Sequence, residues 1–144
     1  MIVLLDSGPL GRLSNPKATG ESAACLTWLE VMIAAGVRVM VPEICDYEVR
    51  RELLRIDSIK SIDRLDELRT DLGLVALNRS TMLRAAKLWS DVRKIGLPTA
   101  HEKELDVDVI LAAQALEVSG MVATENVGHL ARFVQAKHWR DITV

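Results

Sequence analysis

Short apolar runs alternate with longer amphipathic stretches along this chain. Ile2-Val3-Leu4-Leu5 opens as a strand, Gly8-Pro9-Leu10-Gly11 reads as a turn, and Asn15 before Pro16 reads as a helix start. The helix is expected through Gly20 to Ala35, with Gly36 as its C-cap, before Val37 to Val41 alternates as a second strand. Pro42 opens a helix from about Glu43 to Ile56, with Ile44, Val49, Leu53 and Leu54 on its apolar side. Ile59, Ile62, Leu65, Leu68 and Leu72 then recur at helical spacing up to Gly73, ahead of a short strand over Leu74 to Leu77.

In the second half, Ser80 is the expected N-cap of a helix reaching Ile95, with Leu83, Ala86, Trp89 and Val92 as its inward stripe and Gly96 at its end. Leu97 to Leu105 reads as a polar loop, and Asp106 as the cap of the most apolar helix, Val107 to Val118. Gly120 closes that helix. A strand over Met121 to Thr124, a short helix near His129 to Val134 and an edge strand over Ile142 to Val144 complete the pattern. Strands and helices that alternate in this way predict an α/β fold with a central, mostly parallel sheet flanked by helices.

Length and composition narrow the picture. At 144 residues and 49% hydrophobic content the chain fits a single domain able to bury a substantial core. Its formal charge of -2 argues against coating nucleic acid by bulk charge, yet leaves room for a local basic patch. Cys25 and Cys45 have no second thiol at metal-ligand spacing and read as reduced, buried residues. Trp28, Trp89 and Trp139 lie among apolar residues and read as core. The sequence shows no basic leader and no apolar stretch of membrane-spanning length, so a soluble, cytoplasmic protein without a membrane partner is expected.

The chemistry sits where the strands stop. Asp6 ends the first strand, Glu48 lies in the helix after the second, Asp108 opens the apolar helix and Glu125 ends a later strand. Taken singly, each has an ordinary account as a solvated or capping acid. Taken together they occupy comparable places at or after strand ends, which border the crevice where open α/β sheets bind ligands, and gathered carboxylates attract a divalent cation. Mg²⁺ and Mn²⁺ are hard ions suited to such oxygen donors. Asp106 is the reserve ligand, although positions two apart on a helix do not share a face.

Four segments in order resemble the PIN-domain nucleases, a family that includes the toxin ribonucleases of type II toxin-antitoxin modules. They are Val3-Leu4-Leu5-Asp6-Ser7, Val41-Pro42 with Glu48-Val49, Asp108-Val109-Ile110-Leu111-Ala112-Ala113-Gln114-Ala115, and Thr124-Glu125-Asn126. By this resemblance Asp6, Glu48 and Asp108 match the three main acids and Glu125 a more variable fourth, where aspartate is frequent. Ser7, Thr124 and Asn126 match small polar supporting positions. Gly8-Pro9 departs from the helix-forming continuation usual after the first acid. The resemblance implies a metal-dependent ribonuclease with Mg²⁺ or Mn²⁺, an RNA substrate, a cognate antitoxin and a homodimer. Arg12, Arg51 and His129 follow the acids in sequence and are candidates for contacting the RNA backbone.

Other classes fit less well. A phosphatase of the haloacid dehalogenase type needs a second acid where Gly8 stands, and a receiver domain needs an acid where Asn78 follows the middle strand. No glycine-rich phosphate loop is present. A PIN-like module that binds RNA or protein without cleaving anything shares the same residues and stays open as the alternative.

Overall fold

The computed structural model describes residues 1–96 and 102–144. The strands are β1 (Ile2–Leu5), β2 (Arg38–Pro42), β3 (Leu74–Val75), β4 (Met121–Thr124) and β5 (Ala136–His138). The helices are α1 (Ser7–Ser14), α2 (Gly20–Ala34), α3 (Glu43–Arg55), α4 (Ile59–Leu72), α5 (Arg79–Ile95), α6 (Glu102–Glu117) and α7 (Val127–Leu130), with a 3₁₀ turn over Trp139–Asp141. Among the described residues the strands form one five-stranded sheet in the order β3-β2-β1-β4-β5, and every pairing is parallel. The α/β architecture read from the sequence is therefore observed, with the sheet parallel throughout. No helix of the described residues is long and apolar enough to cross a membrane.

The central strand is apolar on both faces, as a parallel strand covered by helices must be. Val3, Leu4 and Leu5 are fully buried, and the core continues through Val39, Val41, Val122 and Ala123 into Leu29, Leu65, Leu111 and Trp139. Burial of a side chain such as Leu4 contributes about 1.5–3 kcal/mol, which is why a four-residue strand holds its place. The order of strands reverses at β1: the chain proceeds outward through β2 and β3, then returns to pair β4 on the other side of β1. Such a switch point opens a crevice at the carboxyl ends of the strands.

Several local expectations are corrected. Gly8 to Gly11 is no turn but lies inside α1, because Asp6 caps the helix and Pro9 falls in the first turn, where backbone N–H groups have no partner to lose. Asn15 ends that helix instead of starting the next, and α2 begins at Gly20. Asn78, not Ser80, caps α5, its side chain accepting from the Thr81 amide at 2.9 Å. The inward face of α5 is Thr81, Ala85 and Val92, while Leu83 and Trp89 are 57% and 36% exposed, so Trp89 is not core. The smaller Thr81 and Ala85 let the helix approach α6, whose Ala113 is fully buried.

Helix α6 begins at Glu102, which makes Asp106 an interior helical residue and not a cap; the rest of the expected polar loop, 97–101, lies outside the described residues. The short helix is Val127–Leu130 instead of His129 to Val134. The last strand is Ala136–His138, since its backbone pairs with β4, whereas Ile142 is buried and gives its carbonyl to Trp28 Nε1 at 3.1 Å. Leu54 turns outward at the end of α3.

Candidate active site

Strand register sets the geometry of the crevice. Leu5 lies level with Ala123, so the residues that follow each, Asp6 and Thr124, meet at the carboxyl ends of β1 and β4. The Asp6 amide donates to the Ala123 carbonyl at 3.0 Å. Its carboxylate is oriented from both sides: Thr124 Oγ1 donates to Oδ2 at 2.7 Å and the Ser7 amide donates to Oδ1 at 2.7 Å. Thr124 is fully buried and its hydroxyl oxygen also accepts from the Asn126 amide at 2.9 Å. The supporting positions Ser7 and Thr124 thus both touch Asp6.

Helix α3 starts immediately after β2 and presents Cys45 and Glu48 one turn apart on the same face. A carboxylate oxygen of Asp6, one of Glu48 and the Cys45 sulfur all lie within 4.8 Å of one another. Burial pushes the Glu48 carboxyl up to about 7, and the neighbouring charges of Asp6 and Asp108 push the same way, against a weaker pull from Arg51. Arg51 Nη2 is 4.0 Å from Glu48 Oε2 and mostly exposed, with its guanidinium over the Tyr47 ring at 5.1 Å.

Asp108, from α6, and Glu125, after β4, line the same cavity of about 260 Å³ as Asp6 and Glu48, joined by Asn126 and His129. His129 Nδ1 lies 3.9 Å from Asp108 Oδ2 and 3.0 Å from Asn126 Nδ2. Asp108 lines the cavity without joining the close group of Asp6, Cys45 and Glu48. Glu125 is held from behind: Arg12 Nε pairs with its Oε1, Arg12 Nη2 with its Oε2 at 3.3 Å, and Trp139 Nε1 donates to Oε1 at 3.1 Å. Arg12 first, and Trp139 after it, hold the Glu125 carboxyl below the usual range.

The structure therefore brings Asp6, Glu48, Asp108 and Glu125 to one cavity, with Ser7, Asn126 and His129 on its walls and Thr124 behind Asp6. Asp106 is not brought there. It faces a separate groove beside Met82 and Trp89, because two helical steps from Asp108 turn it to another side of α6. Arg12 is engaged with Glu125, and Arg51 sits at the rim.

Three contributors escaped the sequence reading. Cys45 reads as an inert core thiol, although its spacing from Glu48 on a helix was a visible signal. Trp139 is core as expected, but its indole N–H also reaches Glu125. Gln114, fully buried, accepts from the Ile44 amide at 3.3 Å and donates to the Val75 carbonyl at 2.5 Å, fixing the start of α3 against β3.

The donor set fits a hard divalent cation. Four carboxylates line the cavity, and burial first, then the charge of Asp6, raises the Glu48 carboxyl, so a hard cation bound among them would relieve that crowding.

No protein-family profile and no curated protein matches the sequence. Solved structures do match the fold. A chain of VapBC2 from Rickettsia felis, in a crystal structure bound to a DNA fragment from its promoter, aligns with a TM-score of 0.75 at 15% identity, covering 96% of this chain and 99% of that one. VapBC-1 from nontypeable Haemophilus influenzae gives 0.68 at 19% identity, over 98% and 100% of the two chains. FitAcB from Neisseria gonorrhoeae gives 0.68 at 20% identity, over 97% and 99%. The likeness to these toxin-antitoxin structures spans nearly the whole chain, and on it the protein has the PIN-domain fold that the four sequence segments resemble.

Proposed function

We propose that this protein is a divalent-metal-dependent ribonuclease that hydrolyses RNA phosphodiester bonds, acting as a single domain. The observation that carries this reading is the convergence of Asp6, Glu48, Asp108 and Glu125, from four distant parts of the chain, on one cavity at the switch point of a parallel sheet.

In this reading Asp6, Glu48 and Asp108 hold Mg²⁺ or Mn²⁺, and Glu125 assists from the far wall. A bound ion of this kind polarises a phosphate oxygen and lowers the pKa of an attacking water. The chain's own residues provide position. Thr124 and the Ser7 amide fix both oxygens of Asp6, so little reorganisation is needed when it takes up a ligand. Arg12 and Trp139 keep Glu125 ionised and aimed along one wall. In the same reading His129, beside Asp108, and the exposed Arg51 contact the RNA backbone.

The PIN fold shared with VapBC and FitAB chains supports a further reading as the toxin of a toxin-antitoxin pair, inhibited by a cognate antitoxin, working as a homodimer in the cytoplasm. The test of the enzymatic reading is cleavage of structured and single-stranded RNAs with Mg²⁺ or Mn²⁺, with EDTA and identically purified Asp108→Asn protein as controls. Metal-dependent cleavage lost in Asp108→Asn supports it. Equal activity in both proteins refutes the site, and no cleavage by either favours the binding-only alternative.

A further inference from the structure

We infer that the groove between α1 and α3 is a nucleobase subsite, which takes an unpaired, amino-bearing base of the RNA beside the phosphate held at the acidic cavity. The inference rests on the ribonuclease reading of that cavity and deepens it, naming the substrate as single-stranded and selected by base.

The groove, of about 300 Å³, is lined by Ser7 and Gly11 from α1 and by Glu48, Val49, Glu52 and Leu53 from α3. Ser7 and Glu48 also line the acidic cavity, so the two spaces adjoin and a nucleotide anchored in one reaches into the other. Val49 is buried and Leu53 half-buried, which gives the groove an apolar wall. Gly11 supplies an independent observation. It is the fifth of the eight residues of α1, a helix interior where glycine is a poorer choice than alanine. Its φ is not positive, and a Cβ there would meet no atom within 4 Å. Neither backbone conformation nor packing asks for glycine, so what it preserves is open space, where a flat ligand can lie against the helix backbone. Gly8 differs, because a Cβ there would stand 3.0 Å from Glu125 Oε2.

Charge selects the occupant. Glu48 and Glu52 stand four residues apart on one face of α3, and their carboxylates repel a phosphate, so the groove admits a neutral group and keeps the backbone out. Arg55 Nε donates to both oxygens of Glu52, at 3.1 Å and 3.0 Å, which steadies the carboxylate and leaves it lone pairs to offer. An ionised carboxylate accepts hydrogen bonds and donates none. It therefore matches the exocyclic amine of cytosine, adenine or guanine and finds no amine on uracil. Only unpaired RNA splays a base far enough from its neighbours to enter such a groove. A protein segment is the other occupant that these walls could take, and the test separates the two.

The test measures, by fluorescence anisotropy with Mn²⁺, the binding of labelled oligo(C), oligo(A) and oligo(U) RNA to the full chain carrying Asp108→Asn, chosen to leave the RNA uncut. The same protein is compared with Gly11→Leu or Glu52→Ala added. Oligo(C) and oligo(A) are expected to bind at least about 5-fold more tightly than oligo(U), the lower end of a specific base contact. Gly11→Leu fills the groove and should weaken both to the level of oligo(U), while Tm stays or rises because leucine is the better helix former. Glu52→Ala should abolish the preference with oligo(U) binding unchanged or tighter. Equal binding of the three RNAs by the parent protein, or a preference that survives either substitution, overturns the inference; survival in a well-folded Gly11→Leu protein hands the groove to a protein segment. Cleavage by wild type separates the two readings. Metal-dependent cleavage without base preference keeps the nuclease and sinks the subsite, whereas base-selective binding without cleavage sinks the nuclease and keeps the groove.

Discussion

Thr124 Oγ1 donates a hydrogen bond to Asp6 Oδ2 at 2.7 Å, tying the end of β4 to the carboxylate at the end of β1. Replacing Thr124 with valine keeps the shape and removes the donor. The Asn126 amide then loses its acceptor as well. Thr124→Val should cost about 1–3 kcal/mol in urea unfolding, the penalty of unsatisfied buried groups. It should also lower metal-dependent RNA cleavage by about 10- to 100-fold, as supporting residues of metal sites do, whereas Thr124→Ser keeps the bond and most of the activity. Full activity in the valine variant would remove the positioning role.

Asp6 and Glu48 repel each other inside their close group, with carboxylate oxygens within 4.8 Å. Asp6→Asn removes one charge while keeping the side-chain shape, so the metal-free protein should melt at the same temperature or higher. The rise in Tm that Mg²⁺ or Mn²⁺ gives wild type should largely vanish in the variant. An equal metal-induced rise in both proteins would mean that the ion binds elsewhere.

The Glu48 carboxyl makes the metal-free fold sensitive to pH. In the folded state it titrates at about 7, against an ordinary value of 4.5. Between those values the folded protein binds more protons than the unfolded chain, so stability falls as pH rises through this window and levels off above it. Divalent ions reverse the trend, because they bind the carboxylate and their stabilisation grows as pH rises through 7. Urea unfolding across pH, with and without Mn²⁺, reads both slopes. Glu48→Gln should flatten the metal-free slope, and a slope unchanged in that variant would reassign it.

What could be seen in the sequence follows from what is local. Asp6 and Glu125 were legible because each directly follows an apolar strand and parallel neighbours bring such ends together, whereas Glu48 and Asp108 lie on helices and stood out by the order of the four segments. The stripe of α5 was misread because the interhelical approach selects the small Thr81 and Ala85 over the bulkier Leu83 and Trp89, a choice made by α6 and not by periodicity. Asp106 looked like a cap only while the helix start was unknown, and its true place follows from a start at Glu102. The last strand was misplaced because three residues, Ala136–His138, carry too little pattern to compete with the apolar Ile142 to Val144. Cys45 and the Arg12–Glu125–Trp139 grouping depend on side chains from separate elements, which one sequence does not pair.

Arg12 separates a role in orienting Glu125 from a role in stability. Both partners are about one-third exposed, at 34% and 29%, so Arg12→Ala should destabilise by less than about 1 kcal/mol. Glu125 then loses its main tether and keeps only the Trp139 N–H. Cleavage should fall clearly more than stability does. A loss of stability well above that range with unchanged turnover would make the pair a structural tie alone.

Gly8 offers the sharpest contrast between fold and site. It lies in the first turn of α1, where alanine is a better helix former by up to about 1 kcal/mol. A Cβ there would stand 3.0 Å from Glu125 Oε2, too close for the carboxylate to stay where Arg12 and Trp139 hold it. Gly8→Ala should therefore fold with wild-type stability to within about 1 kcal/mol, since Glu125 is a side-chain end at the edge of the cavity and gives way. The carboxylate is pushed a few tenths of an ångström from where Arg12 and Trp139 hold it, so metal-dependent cleavage should drop and Mn²⁺ binding should weaken. Unaltered cleavage and Mn²⁺ affinity in a well-folded Gly8→Ala protein would show that the position of Glu125 does not matter to the reaction, leaving Asp6, Glu48 and Asp108 to carry it.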